Sequence, residues 1–187
     1  MPNTWLAPFG LNDCKVQTWS AAGTYSGTMT DVESIQQLSA TQNLTEAQLE
    51  GDDQITATAG YAIGATATMR FGGLNFDSLG VILGITATTI SSVIQFGMQG
   101  GHRMPYFGIQ GKMLLADTSG SLIMYLPKAK VMSDFTIIQG EYGTFVIPEV
   151  TVQLVADATH GIYNLIQYPT NFTIAVFPPA NIAAVIA

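Results

Sequence analysis

The segment from Leu49 to Gly84 constrains the fold most, because three local patterns follow one another in it. It begins with the acidic run EGDD at residues 50–53, in which carboxylates around a glycine favour a solvated turn. From Ala65 to Phe71, apolar and polar side chains then alternate. This period of two is typical of a strand that is buried on one face.

A short helix is predicted immediately after this strand. The side-chain oxygen of Asn75 can accept hydrogen bonds from the free N–H groups of a first turn, and Asp77 lies at the positive end of the helix dipole. Gly84 can end the helix in a left-handed conformation. The predicted buried stripe consists of Leu79, Ile82 and Leu83.

Most of the remaining chain predicts further strands. The predicted segments are residues 104–115, 122–126, 131–137, 146–154, 162–168 and 172–177. The first two form a hairpin around a turn at residues 117–120, and Pro148 marks the fourth as an edge strand or a bulged one. Strands at intervals of about 8 to 12 residues, with one short helix, indicate a mainly β, antiparallel β-sandwich or barrel. No linker divides the chain, so residues 1–187 are expected to form a single domain.

Residues 24–48 allow two interpretations. Thr45 with Gln48 could form the capping box of a short helix. The apolar residues Val32, Ile35 and Leu38 fit an irregular strand equally well. Both interpretations stay open from the pattern alone.

Both ends of the chain are apolar, although chain ends are usually polar. They predict an N-terminal arm at residues 1–14 and a C-terminal arm at residues 178–187. The C-terminal arm must bury its apolar side chains either on its own domain or on a neighbouring subunit. The side chains expected to dock are Ile182, Val185 and Ile186.

The chain carries few charges for a globular protein. Only 10% of its residues are charged, against about 25% in an average soluble domain, and 48% are hydrophobic. A surface with so little charge predicts that partners cover much of it. The net charge is −7 and the six Lys and Arg residues are scattered, which argues against stable binding to nucleic acid.

Neither a membrane span nor a secretory signal is expected. The uncharged stretch at residues 78–101 is interrupted by many Gly, Ser, Thr and Gln residues, and a helix followed by a strand fits it better. The first residues lack a basic segment followed by an apolar run. Cys14 is the sole cysteine, so no intramolecular disulfide can form.

Enzyme activity, a metal site and a cofactor site are not expected, because few residues are suited to such chemistry. Asp157 and His160 lie close in sequence, but a polar turn between strands explains them better than a hydrolytic triad. The acidic run at residues 50–53 does not have the ligand spacing of an EF-hand loop. A solvated turn, or one that meets a basic residue of a partner, needs no further assumption.

The order of several segments resembles the major tail tube protein of tailed bacteriophages. The segments are LEGDD, MRFGGLNFDSLGVILG, YFGIQGKMLL, SLIMYLPKAKVMSDFTI and EYGTFVIPEVTVQLVAD, and the similarity spans residues 45–177. The resemblance implies a β-sandwich or barrel flanked by a short helix, with an extended loop and terminal arms. It also implies a structural virion protein whose copies form hexameric rings stacked into a tube for genome delivery.

The resemblance also implies partners and a location. Besides other copies of the chain, the partners are a tape measure protein and tail-end or terminator proteins, while double-stranded DNA passes through without specific binding. The protein would be assembled in the host cytoplasm, without membrane insertion, and would reside in the virion tail. An acidic or uncharged-polar lumen would let DNA slide, because it offers no cations to hold phosphates.

Roles for individual residues follow from the same resemblance. The polar side of the clearest strand is expected to face the lumen, and its residues are Glu149, Thr151 and Gln153. The loop that contacts the next ring is expected at Glu50, Asp52 and Asp53, with Arg70 and Arg103 as its ion-pair partners. Two competing hypotheses are a ligand-binding β-barrel and a capsid decoration protein or other structural virion protein.

Overall fold

The computed structural model of the chain describes residues 7–51, 54–73, 75–116, 120–134, 142, 148–180 and 182. These residues form ten strands and one helix. In chain order the elements are β1 (Pro8–Ala21), β2 (Thr24–Asp31), β3 (Ile35–Gly51), β4 (Gln54–Phe71), α1 (Phe76–Leu83), β5 (Thr88–Ile90), β6 (Val93–Gln95), β7 (Phe107–Leu115), β8 (Ser121–Val131), β9 (Glu149–Leu154) and β10 (Asn164–Tyr168).

All strand pairs are antiparallel, which confirms the expected mainly β class. The large sheet has the order β2-β1-β7-β8-β9-β4-β3. Strand β8 divides its second edge between two partners, because residues 121–125 pair with β10 and residues 129–131 pair with β9. Strands β5 and β6 form a separate two-stranded hairpin.

The large sheet curves around one main hydrophobic core. Apolar side chains from β1, β4, β7, β8, β9 and α1 meet there, among them Val16, Met69, Ile109, Leu126 and Val152. Leu38 on β3 lies against Gly111 on β7, so two strands that are distant in the sheet order face each other. A side chain at position 111 would occupy the space that Leu38 fills. This arrangement is consistent with a β-sandwich.

Helix α1 has the ends that the sequence predicts. Asn75 Oδ1 accepts hydrogen bonds from the backbone N–H groups of Asp77, at 2.9 Å, and Ser78, at 3.2 Å. Gly84 ends the helix with φ 69°, in the left-handed region that glycine adopts without strain. The predicted stripe is buried, since Leu79, Ile82 and Leu83 all face the interior. The helix contacts β1, β2 and β8 and thereby covers one part of the main core.

A second, smaller core lies on the other face of β8. It consists of Ile123, Tyr125 and Ile174, with Phe177 and Ile182 packed against it. The chain after β10 crosses this face without forming a strand, so the strand predicted at residues 172–177 is wrong. Side chains hold the crossing segment in place of a ladder of backbone hydrogen bonds. Gln110 Nε2 donates to the carbonyl of Val176 at 2.9 Å, and Tyr168 Oη donates to that of Ala180 at 2.5 Å.

Residues 24–48 form β2 and most of β3, joined by a turn at residues 33–34, so the helical interpretation of the capping box is wrong. Thr45 and Gln48 lie inside β3, where they pair with Tyr61 and Thr58 of β4. Long-range strand pairing outweighs the local capping pattern here, because every residue of β3 from Gln37 to Gly51 gains a partner on β4. The predicted hairpin of residues 104–115 and 122–126 is confirmed by the pairing of β7 with β8. Its turn at residues 117–119 lies outside the described residues.

Candidate functional site: a polar sheet face and a projecting hairpin

One face of the sheet is polar across three neighbouring strands. Its residues, which we call the polar face, are Gln37, Ser39 and Thr41 on β3, Thr66, Thr68 and Arg70 on β4, and Glu149, Thr151 and Gln153 on β9. The strands are in register, so that Thr68 lies directly between Ser39 and Thr151. Because side chains alternate along a strand, the opposite face carries the buried residues Ala67, Met69 and Val152.

The charges on the polar face neutralise each other. Arg70 Nε lies 3.0 Å from Glu149 Oε2, and each side chain is about half exposed. Arg70 is therefore paired within its own chain. Apart from this pair, the polar face consists of Thr, Ser and Gln residues. It is uncharged-polar, with no excess of acidic groups.

A cluster of lysine and aromatic side chains borders the polar face. Lys130 on β8 is the direct partner of Gln153 and so lies at this border. Its Nζ is 5.0 Å from the ring centroid of Tyr106. The Nζ of Lys128 lies 4.2 Å from the ring centroid of Trp19 and 4.6 Å from that of Tyr106. Each cation–π contact of this kind contributes about 0.5–1 kcal/mol when it is exposed, and the rings restrict where the two ammonium groups can go.

A buried carboxylate fixes the aromatic side of this cluster. Asp157 Oδ1 accepts a hydrogen bond from the indole N–H of Trp19 at 3.0 Å. Asp157 Oδ2 accepts bonds from the backbone N–H groups of Gly23, Thr159 and His160, each at 3.1 Å. Burial by itself raises the pKa of Asp157, but the hydrogen bonds from Trp19 and these backbone groups outweigh it and hold the pKa below its ordinary value. Asp157 therefore ties the turn between β1 and β2 to the turn at residues 157–161.

Strands β3 and β4 extend well beyond the rest of the sheet. Strand β9 pairs with β4 only from Ala65 to Arg70, whereas β3 and β4 remain paired as far as Gly51 and Gln54. We call residues 44–51 and 54–63 the projecting hairpin. Its described side chains include Leu44, Tyr61 and Ile63, which are 59%, 61% and 61% exposed. A hairpin that carries bare apolar side chains away from the core is suited to contact another molecule.

Of the residues expected to contact the next ring, the structure describes only Glu50, near the end of the projecting hairpin. Glu50 is in β3 and pairs with Ile55 of β4. Asp52 and Asp53 lie outside the described residues. Arg103 is exposed in the loop before β7 and forms no ion pair with any described residue. Arg70, the other predicted partner of the acidic turn, pairs with Glu149 of its own chain.

The two predicted arms are partly accounted for within the chain. Residues 8–14 belong to β1 and pair with β7. Ile182 packs against the second core of its own chain. Val185 and Ile186 lie outside the described residues. The C-terminal arm was expected to dock either on its own domain or on a neighbouring subunit. Ile182 docks on its own domain.

Sequence reasoning missed the lysine–aromatic cluster and the contacts of Asp157. Trp19, Tyr106 and Asp157 are far apart in the chain, and no local motif connects them. One signal was available, since Lys128 and Lys130 are two residues apart and on a strand must share a face.

Two kinds of reactive group were sought among the described residues, metal ligands and an activated thiol. No group of three or more His, Cys, Asp and Glu side chains among them is placed to bind a metal ion. Burial raises the pKa of the Cys14 thiol well above its ordinary value, which keeps the thiol protonated and weakly nucleophilic. No helix in the described part of the chain is long and apolar enough to cross a membrane. Comparison with models of known protein families finds no match, and comparison with curated protein sequences finds none either.

Proposed function

We propose that this chain is a structural virion protein whose copies assemble into stacked rings that form the tail tube of a bacteriophage. The observation that carries this proposal is the continuity of the polar face with the projecting hairpin. The same two strands, β3 and β4, supply an uncharged-polar surface at one end and exposed apolar side chains at the other. The first suits a smooth inner wall, and the second suits a contact between rings.

The edges of the sheet support assembly into rings. Strands β2 and β3 are the two ends of the sheet order, and each has one edge without a described partner strand. Exposed edges are templates for pairing with another chain. A contact between two different surfaces of successive copies is head-to-tail, and such contacts close into a ring when the rotation between copies allows it. The hexameric ring follows from the resemblance to tail tube proteins described above.

The polar face supports the role of an inner wall for DNA. Stable binding to DNA requires cations that replace the counterions of the phosphates. Arg70 is neutralised by Glu149, which leaves Lys128 and Lys130, held over aromatic rings at the border of the polar face, as the cations nearest to it among the described contacts. Thr, Ser and Gln side chains give passing phosphates only weak, exchangeable contacts. DNA would slide along this face without being held, and a tape measure protein would occupy the lumen before it.

The ligand-binding β-barrel fits the described residues less well. An apolar recess between β3, β4, β8 and β10 has a volume of about 230 Å³. Pockets for small molecules usually have about 300–1,000 Å³. The recess is thus below the usual range, and the larger clefts of about 690 Å³ and 420 Å³ are wide open to solvent.

Negative-stain electron microscopy and sedimentation velocity of the purified protein over a range of concentrations test the proposal. We expect rings or hollow tubes. Thr41→Lys places a charge on the exposed edge strand β3, and we expect it to raise the concentration required for assembly at least tenfold.

The matched control is Thr173→Lys, which makes the same change at an exposed residue outside any strand. This control should assemble like the unmodified protein. A monodisperse monomer at high concentration, without rings or tubes, would contradict the proposed function.

A further inference from the structure

The β5–β6 hairpin presents an apolar tip to solvent. Ser91 and Ser92 form its two-residue turn, both with positive φ, at 49° and 68°. This conformation matches the tight turns that connect paired strands. Ile90 and Val93 flank the turn and lie directly opposite each other. They are 61% and 66% exposed.

The base of this hairpin is fixed, whereas its tip is not covered. Phe96, which follows β6, stacks on Phe76 of α1 with ring centroids 5.4 Å apart. His102 Nε2 lies 2.7 Å from the carbonyl oxygen of Leu83 at the end of α1. Among the described strands, β5 and β6 pair only with each other. An isolated two-stranded hairpin is marginally stable in water, so this one requires a surface on which to pack.

The surface that receives the tip must itself be uncharged. No charged residue occurs from residue 78 to residue 101, which includes the whole hairpin. A charged receiving surface would lose its hydration without gaining a partner. The receiving surface is therefore expected to be apolar and of the size of a few side chains.

The same chain carries such a surface in the apolar recess. Seven residues line it, and none is charged: Ala40, Gln42, Ala65, Met124, Leu126, Tyr163 and Leu165. Leu165, on its wall, is 58% exposed, although an apolar residue of this size gains stability from burial. The volume of about 230 Å³ suits side chains, since an apolar cavity of about 150 Å³ is large enough for benzene.

We propose that the tip of the β5–β6 hairpin, formed by Ile90 and Val93, inserts into the apolar recess of a second copy of this chain. This inference rests on the proposed function, because it names a contact within the assembly. The recess is lined by residues of β3, β4, β8 and the segment 163–165, and no residue of the hairpin or of α1 is among them. Tip and recess are thus different surfaces of the subunit, and their contact is head-to-tail, as rings and stacks require.

Substitutions in the tip test the contact from one side. The double variant Ile90→Thr and Val93→Thr removes the apolar character of the tip but keeps β-branched residues that favour strands. We expect its association, measured by sedimentation velocity, to weaken at least tenfold. Gln95→Thr, on the same face of the hairpin as Val93, is the matched control and should associate normally.

A substitution in the recess tests the contact from the other side. Ala40→Phe, on β3, places a large ring in the recess and should weaken association as strongly as the tip variant does. The control is Ala175→Phe, which adds the same ring at an exposed site in the crossing segment. If either the tip variant or Ala40→Phe associates like the unmodified protein, the inference is overturned, while the proposed function still stands on ring formation.

Cross-linking decides which surfaces meet. A Val93→Cys variant is mixed with a Leu165→Cys variant under mild oxidation, with Cys14 retained because it is buried. A disulfide between the two variants, absent when Ala175→Cys replaces Leu165→Cys, supports the contact. Such a disulfide supports the contact even if microscopy shows no rings. In that case the proposed tail tube is rejected, and the contact between copies is not. Disulfides only between two Val93→Cys copies, or no cross-link at all, would overturn the inference and indicate that the tip meets another tip or a different molecule.

Discussion

The two halves of the β3–β4 pair differ in burial. The half near β9 is buried, and the half in the projecting hairpin is exposed. Near β9, the inward side chains Ala65, Ala67 and Met69 are completely buried or nearly so. In the projecting hairpin, Leu44, Tyr61 and Ile63 are mostly exposed. The backbone pairing of β3 with β4 is continuous through both halves, apart from local register shifts. Pairing alone therefore does not determine where the core ends.

The difference between the two halves is whether a second layer covers them. The half near β9 has α1 and the strands of the main core on one side, whereas β3 is the one described strand that pairs with β4 along the projecting half. Burial stabilises the covered half, at about 25 cal/mol for each Å² of apolar surface removed from water. The projecting half gains this energy only if another molecule covers it, which links its exposure to assembly.

The largest effect on stability is expected from truncation in the covered half. Met69→Ala removes a completely buried side chain and should lower the free energy of unfolding by about 2–5 kcal/mol, because it leaves a cavity in the core. Ile63→Ala, in the projecting half, should change it by only about 0.5 kcal/mol. Urea denaturation of the two variants at low protein concentration measures both values. Equal losses would show that the projecting half is packed in the free subunit.

A second contrast concerns carboxylates in the two regions. Asp157→Asn should lower the free energy of unfolding by about 1–3 kcal/mol, since an amide cannot accept all the hydrogen bonds that the carboxylate receives from Trp19 and the backbone. Glu46→Gln, which neutralises an exposed carboxylate of the projecting hairpin, is the control and should have little effect.

The contribution of Asp157 should also depend on pH. Its pKa is lowered in the folded state, so the unfolded state binds its proton first as the pH falls. The contribution is fully present above the unfolded pKa of about 4 and is lost as the pH falls through the folded pKa. Urea denaturation between pH 7 and pH 3 should show a steeper loss for the unmodified protein than for Asp157→Asn. Parallel pH profiles would contradict this role.

A smaller effect is expected from the ion pair on the polar face. Arg70 and Glu149 are about half exposed, and exposed pairs contribute about 0–1 kcal/mol. A double-mutant cycle with Arg70→Gln and Glu149→Gln should give a coupling energy in this range that decreases at high salt. A coupling energy well above 1 kcal/mol would indicate that the polar face is less solvated than the structure shows.

The sequence predicted local structure better than the contacts between distant segments. The alternation at Ala65–Phe71 and the caps of α1 depend on neighbouring residues, so the pattern was sufficient for them. Other features depend on contacts with residues that are far away in the sequence. These are the pairing of Thr45 and Gln48 with β4, and the path of the crossing segment at residues 172–177. For the same reason, the alternation identified the polar side of β9, but its register with β3 and β4 required the structure.

The smallest effect on stability is expected from removal of the outer part of the projecting hairpin, which keeps Leu44, Tyr61 and Ile63. Thr45 and Tyr61 are direct partners, so an Asn-Gly turn can replace residues 46–60 and connect them without disturbing the register. The remaining domain should unfold within about 0.5 kcal/mol of the unmodified protein, because none of the deleted residues whose side chains the structure describes belongs to the core. Assembly should nevertheless change strongly. Electron microscopy should show rings that no longer stack into tubes.

This deletion separates the two roles that β3 and β4 combine. If the shortened protein is stable and forms rings, the covered half is sufficient for folding and for ring closure, and the projecting half serves stacking. Normal tubes from the shortened protein would show that other surfaces hold successive rings together. The tip formed by Ile90 and Val93 and the apolar recess would then be the first surfaces to test for that contact, because the deletion removes no residue of either.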